Sequence, residues 1–407
     1  MSLAAVLTLI QQVPDSGVVA VPVPSALAVR YHETGTVLWV LDTLIGLAIP
    51  AVILFTGWSA GLRNAARRVG RGWAGTVVVY AIVYLVLTSL VVAPLSYYEG
   101  FVREHAYGLT HQTFAKWLRD WITALGVGCV IGAIVGLVAY GILRRARRWW
   151  LWTGLAALPL LIIGFVVAPV WIAPLFNRFG PLENKTLERR ILAEADRAGI
   201  TGSRVYEVNK SVDTEKLNAY VAGIGGTKRI VLYDTILRKF TPDEILFVLG
   251  HEMGHYVLGH VTALLLTAWA AIVLTLWLIF RWSGSLIARW DRRFGFTTLA
   301  DPASVPLLLL LGGVISLGIA PFELFVSRHV EHEADRFGLE LTRDNHAAAS
   351  SFVKLDKENL GVPYDGLIDL LWRDGHPSDA ERIEFANTYR PWETGQPLKY
   401  GDRFRAR

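Results

Sequence analysis

The sequence predicts a mainly α protein, a polytopic membrane bundle of about six transmembrane helices joined to an α+β part with a small β-hairpin or sheet. Three observations carry that expectation. Apolar residues make up 53% of the 407-residue chain and charged residues only 18%, whereas a soluble domain is about a quarter charged. Mean hydropathy is +0.39. The apolar residues gather in runs at roughly 36–58, 74–95, 122–143, 150–173, 261–281 and 303–326, each near the about 20 residues that cross ~30 Å of hydrocarbon. Outside these runs, 174–260 and 327–407 turn polar and carry both strand-like and helix-like patterns.

Trp39, Trp73, Trp149, Trp150, Trp171 and Trp282 fall near the ends of the runs, where amphipathic rings suit the membrane interface. Residues 1–13 are apolar but short and have no basic residue in front. Pro14, Pro22 and Pro24 then interrupt any helix, so residues 1–35 are expected to be an N-terminal tail or a poor signal-like segment. Residues 36–173 form a region of four spans, and 391–407 a C-terminal tail. The one cysteine, Cys129, lies in an apolar run, which excludes an intrachain disulfide and a cysteine metal cluster.

The net charge of +5 comes with arginines clumped in short loops. Arg63, Arg67, Arg68 and Arg71 follow the first span. Arg144, Arg145, Arg147 and Arg148 follow the third. Arg281, Arg289, Arg292 and Arg293 follow the fifth. If six spans alternate, all three groups lie on one side, and the positive-inside rule makes that side cytoplasmic. This pattern reads as membrane orientation, not nucleic-acid binding. The segments 174–260 and 327–407 then share the extracytoplasmic side; the alternative is a site on the cytoplasmic face.

Those segments hold the chemistry. His251-Glu252-Met253-Gly254-His255 is an H-E-x-x-H pentapeptide in helical context, with Thr241 as N-cap and Pro242 at the first helical position. Histidines at i and i+4 project from one helix face and can reach one ion. Glu252 is rotated off that face. It can hold the attacking water and take its proton as a general base. A catalytic zinc needs a third protein ligand and one open position. Glu331 is the best candidate, with Asp335 one turn on to accept the second ring N–H of a ligand histidine. His332 and Glu333 point elsewhere. His260, nine residues beyond His251, lacks the rest of any longer ligand pattern and reads as an interfacial histidine at the start of span five.

Leu217–Gly223, a turn at Gly225-Gly226 and Lys228–Asp234 read as a β-hairpin. Its edge strand can bind an extended peptide or be purely structural. In Gly375-His376-Pro377-Ser378-Asp379-Ala380-Glu381-Arg382, His376 can donate to an oxyanion and Arg382 can brace it.

These pieces occur together in one known family. With Pro94-Leu95-Ser96-Tyr97-Tyr98, Phe101-Val102-Arg103-Glu104, Ala173-Pro174-Leu175-Phe176, Asn218-Ala219-Tyr220, Glu331-His332-Glu333-Ala334-Asp335 and His376-Pro377-Ser378, the chain resembles the type I CAAX prenyl endopeptidases over about residues 36–390. It is more distantly similar to the HtpX-type membrane proteases. The resemblance implies a gluzincin-type zinc endopeptidase with a large intramembrane chamber and one Zn2+ per chain. His251, His255 and Glu331 would be ligands, Glu252 the base, and Asp335 an outer partner. His376 and Arg382 would belong to the site, and Asn218, Ala219 and Tyr220 would line the substrate path. Residues 174–390, with the spans at about 261–281 and 303–326, become the metalloprotease domain.

The chain also differs from the eukaryotic members. It has six predicted spans against seven, Lys216 where a histidine precedes the Asn-Ala-Tyr strand, and the opposite orientation by its arginines. Arg-rich loops and short length suggest a bacterial member. The expected partners are the lipid bilayer and polypeptides that are membrane-associated, lipidated or misfolded. Nucleic acid is not expected, and oligomeric state is not readable. A catalytically silent chaperone or scaffold is the alternative. A transporter needs ionisable groups well inside its spans, and Asp42 lies near the end of one.

Overall fold

A computed structural model of the chain describes residues 17–223 and 228–405. Six of its helical stretches are long and apolar enough to cross a membrane: Ala26–Phe55 (α1), Trp73–Ala106, Phe114–Leu143, Trp149–Leu175, His260–Phe294 and Pro302–Thr342. All six predicted spans are present, and several are longer than their apolar runs. Within the second stretch, α3 (Trp73–Tyr97) continues through a π-helical turn at Tyr98–Arg103. The amphipathic α2 (Trp58–Gly70) precedes it; α4 is Phe114–Leu143 and α5 is Trp149–Val167.

The first span starts at Ala26, inside the expected N-terminal tail. Ser25 caps it, its Oγ accepting from the Ala28 N–H at 3.0 Å. Polar residues hid this start from the apolar pattern, and several find tertiary partners. Tyr31 OH donates to Glu104 at 2.7 Å, His32 lies 3.1 Å from Asp369, and Thr36 accepts from Arg373 at 2.7 Å. Residues 1–16, including the expected signal-like run and Pro14, lie outside the described residues.

One end of the bundle is knitted by polar contacts, which are favoured where no water competes. Ser59 Oγ donates to the Ala303 carbonyl and receives the Tyr80 hydroxyl, both at 2.6 Å. Tyr140 OH bonds Ser304 Oγ at 2.8 Å. Arg63 pairs with Asp301 and donates to the Gly295 carbonyl at 3.2 Å, and Arg144 stacks over Trp73. The arginine groups predicted to share one side therefore meet there. Elsewhere the packing is open. The most apolar stretches of the third and fourth spans contain no fully buried residue. An apolar cleft of about 550 Å³ parts α1 from α3, lined by Ile45, Ile49, Val52, Tyr84, Leu87 and Val91.

At the other end stands the α+β part. After β1 (Phe179–Pro181) come α6 (Lys185–Arg197), β2 (Arg204–Val208), β3 (Ala219–Ala222) and β4 (Arg229–Tyr233). The sheet order is β1-β2-β4-β3, with β2 and β4 parallel and the other pairs antiparallel. The predicted hairpin is β3–β4, in register Tyr220↔Val231. Its Gly225-Gly226 turn lies outside the described residues. The short β1 and β2 were not anticipated.

Next come α7 (Asp234–Lys239), α8 (Pro242–Val257), α9 (His260–Phe294), α10 (Val305–Thr342), α11 (Asn345–Glu358) and α12 (Asp379–Thr388). One core joins α6, β4, α8, α10, α11 and α12 through Ile191, Ile230, Phe247, Phe337, Phe352 and Ile383, each at most 2% exposed. At about 1.5 Å per residue α10 is about 57 Å long, nearly twice the hydrocarbon thickness. Its C-terminal part therefore leaves the membrane and enters this core.

The expected C-terminal tail is folded onto α10 over its described part, 391–405. Phe337 packs against Tyr400 and Phe404. Fully buried Glu340 accepts from the Lys399 and Tyr400 N–H groups at 2.8 Å each. Nothing in its composition signalled this, because the binding partner is a carboxylate about sixty residues earlier.

α8 and α10 cross closely at glycines. A Cβ on Gly338 would stand 3.0 Å from the His251 backbone nitrogen, and one on Gly254 would stand 3.0 Å from Phe337 Cβ. Gly338→Val should force the helices apart and destabilise the protein by about 1–3 kcal/mol, as overpacking typically does. A thermal melt of the purified variant measures this; an unchanged melting temperature contradicts the packing argument.

Candidate metal centre

The metal helix α8 is built by local rules. Thr241 Oγ1 accepts from the Glu244 N–H at 3.3 Å, and the Glu244 carboxylate accepts from the Thr241 N–H at 2.7 Å, a reciprocal capping box with Pro242 at the first turn. Lys354 Nζ, 2.7 Å from Glu244, ties this cap to α11. Helical spacing then sets His251 and His255 one above the other, with Nε2 atoms 3.1 Å apart.

α10 supplies the third group. Glu331 Oε1 lies 3.3 Å from His255 Nε2, and Oε2 lies 3.2 Å from His251 Nε2. One ligand atom from each of His251, His255 and Glu331 falls within 4.8 Å of the others, the only such group of three or more among the described residues. Glu331 Oε2 is buried with no aligned hydrogen-bond donor. Buried polar atoms in native proteins rarely go unpaired, so its lone pairs suit a cation at this point. Two imidazoles and one carboxylate are the donor set of a catalytic zinc site with one position left open. The local field agrees. Burial disfavours the His251 imidazolium, yet the bond to Asp335 and the nearby Glu331 charge outweigh it and raise His251 to about 10. Positive charge is drawn to this spot.

Asp335 lies one turn beyond Glu331, 1% exposed, and accepts from His251 Nδ1 at 2.8 Å. Arg382 Nε and Nη2 grip the same carboxylate at 2.9 and 2.7 Å, and the guanidinium lies over the Phe352 ring. Arg382, expected to brace His376, thus bonds Asp335. A second capping box, Ser378 with Glu381, starts α12 and sets Arg382 one turn in. That signature, Ser378 followed by Glu381 three residues on, is legible in the sequence. His376, just before the box, brings Nε2 to 3.4 Å from Glu331 Oε2 and is largely exposed, so its ring N–H is available to a bound molecule.

Glu252 is half-buried on α8. Burial, opposed by His251 and His255, raises its carboxyl above the usual range, which makes it a stronger base. Glu333 is turned away, held by Arg336, Lys399 and Tyr400. His332 packs on Phe385 and accepts from Arg336. His260, read as an interfacial side chain, is instead 7% exposed with Nδ1 at 3.2 Å from His255 Nδ1. Periodicity could not show this, because the chain turns between them at Gly259, φ +74°.

Asn218, Ala219 and Tyr220 lie at and in β3, the edge strand, which packs beside α8. Asn218 is exposed, while Ala219 is buried. Lys216 does not enter the metal cluster. It bonds Tyr31 OH at 2.8 Å and Glu104 at 3.0 Å, anchoring this strand to spans one and two.

Comparison with known proteins agrees with this construction. Residues 181–390 match the model of peptidase family M48, and residues 26–178 match that of the CAAX prenyl protease N-terminal region, described as five membrane helices. In this chain residues 26–178 hold four of the six long apolar helices and α2. A Bacillus subtilis (strain 168) protein called uncharacterized metalloprotease YhfN is 36% identical over 366 residues, 89% of this chain and 86% of that protein. The CAAX prenyl protease 1 homolog of Dictyostelium discoideum is 30% identical over 374 residues, 86% of this chain and 82% of that one. The crystal structure of S. mikatae Ste24p superposes with a TM-score of 0.79, covering 90% of this chain and 92% of that one at 22% identity, which establishes the shared fold. Matched over these ranges by both family models and by these relatives, the chain belongs to peptidase family M48 and is a multi-pass membrane metalloendopeptidase.

Proposed function

We propose that the metal is zinc, held by His251, His255 and Glu331, and that Glu252 is the general base for hydrolysis of a peptide bond. The observation that carries this is the convergence of two imidazole nitrogens and one carboxylate, with Glu252 beside them on the same helix. Bound zinc supplies Lewis acidity, polarising the scissile carbonyl and acidifying a water. Glu252 takes the proton from that water as it attacks and then passes it to the leaving amine. His376 donates to the carbonyl oxygen as negative charge develops there. Asp335 holds His251 in the tautomer whose Nε2 is free to ligate, and Arg382 holds Asp335. The free edge of β3, led by Asn218, pairs with an extended substrate by main-chain hydrogen bonds. Residues 174–390 act as the metalloprotease domain.

Membrane-associated polypeptides are the substrate class the architecture favours, because the sheet and metal helices stand directly on the bundle. The relatives named CAAX prenyl proteases, with the apolar cleft between α1 and α3, support lipidated polypeptides within that class. The grouped arginines support an extracytoplasmic position for the site.

Glu252→Gln should retain zinc and lose at least about 10²–10⁴-fold in peptide hydrolysis, the range of general-base catalysis; a purified variant that still turns over sinks the assignment. Glu331→Ala should lose metal while Glu333→Ala keeps it, since Glu333 is engaged by Arg336, Lys399 and Tyr400. Equal zinc content in the two would mean that the third ligand is misassigned. For sidedness, a membrane-impermeant thiol reagent is applied to intact cells carrying single cysteines on a Cys129→Ala background. Cysteine at Arg145 should be protected and cysteine at exposed Gln396 labelled; the reverse pattern puts the site in the cytoplasm.

A further inference from the structure

We propose that His260 is a positioning residue of the metal centre: its unprotonated Nδ1 accepts the Nδ1–H of His255 and fixes the tautomer in which His255 Nε2 is free to bind metal. The inference rests on His255 being a ligand, and it adds a residue outside the H-E-x-x-H and E-x-x-x-D elements. His255 Nε2 faces His251 Nε2 at 3.1 Å and Glu331 Oε1 at 3.3 Å, so this nitrogen must be the ligating one. A neutral imidazole carries one proton, which must then sit on Nδ1 and needs an acceptor. That atom faces His260 Nδ1 at 3.2 Å. Two bare nitrogens would repel, and two N–H groups would clash, so one ring donates. With His255 donating, His260 carries its own proton on Nε2, which is not among the buried polar atoms left without a partner.

The backbone is arranged to make this contact. At about 100° per residue, a position five beyond His255 on a continuous helix would face about 140° away. The chain instead breaks after Val257, turns through Gly259 at φ +74° and starts α9 at His260. That turn swings the His260 ring back to edge-on contact with His255, with ring centroids 5.2 Å apart. The two histidine ligands are thereby backed differently. His251 has the Asp335 carboxylate behind it, itself gripped by Arg382, whereas His255 has a neutral ring. A neutral acceptor orients His255 without adding negative charge, leaving more of the metal's Lewis acidity for the open position.

The test is zinc affinity of the full-length protein in detergent, measured by competition with a chromophoric chelator, with the absorption spectrum of the Co2+-loaded form as a second readout. His260→Phe keeps a ring of similar size but removes the acceptor; His260→Asn restores an acceptor oxygen. The Phe variant should bind zinc about 10–100-fold more weakly, the usual effect of losing such an outer partner, and shift the Co2+ bands. The Asn variant should recover both, which a purely packing role for His260 would not produce. Parental affinity in the Phe variant, or an Asn variant as weak as it, overturns the inference. His260→Leu replaces the Phe variant if circular dichroism shows the latter unfolded. His255→Ala separates the two readings: lost binding there with parental binding in His260→Phe overturns the role of His260 alone, whereas parental binding in His255→Ala overturns the ligand assignment beneath it.

Discussion

Everything at the centre depends on one buried carboxylate. Asp335 is almost fully enclosed, and an isolated charge there would be strongly disfavoured. It is tolerated because Arg382 meets it through two parallel bonds while His251 Nδ1 donates to the first of its oxygens. That single group joins α8, α10 and α12. Remove its partners and the carboxylate must take up a proton or draw in water, and the rotation of the His251 ring is no longer set. The glycine crossing makes the arrangement reachable. Gly254 and Gly338 let α8 and α10 approach closely enough for Glu331 to sit between two histidines on the neighbouring helix.

The membrane imposes the second constraint. Helices in lipid need not bury apolar faces against one another, since hydrocarbon solvates them as well as protein does. The bundle is accordingly loose along its length and tied at its ends. One end is closed by Ser59, Tyr80, Tyr140, Ser304 and the Arg63–Asp301 pair. The other is closed by the polar contacts of Tyr31, Glu104, Lys216, Asp369 and Arg373 with the α+β part. α10 runs through both, its N-terminal half among the spans and its C-terminal third in the core of the α+β part.

Much of this was legible in the residues. Six apolar runs gave six spans, because crossing hydrocarbon demands length and composition that any one segment displays by itself. H-E-x-x-H gave the histidine pair, because i and i+4 share a face whatever surrounds the helix. Thr241 and Glu244 announced the start of α8, and β3–β4 announced themselves by alternation. The start of α1 was hidden because Arg30, His32 and Glu33 break its apolar pattern. The role of residues 391–405 was hidden because their partners Glu340 and Phe337 are distant in sequence.

By itself, then, the sequence determined what depends on near neighbours: the spans, the caps, the histidine face of α8, and the E-x-x-x-D face of α10. From that last periodicity it singled out Glu331 over His332 and Glu333. The tertiary structure turns Glu331 towards the two histidines and Glu333 towards Lys399 and Tyr400. It also assigned Arg382 to Asp335 and His260 to His255. These are choices of orientation between helices. They follow from close packing at glycines and from a turn at positive φ, and no periodicity along one segment encodes where a second segment will cross it.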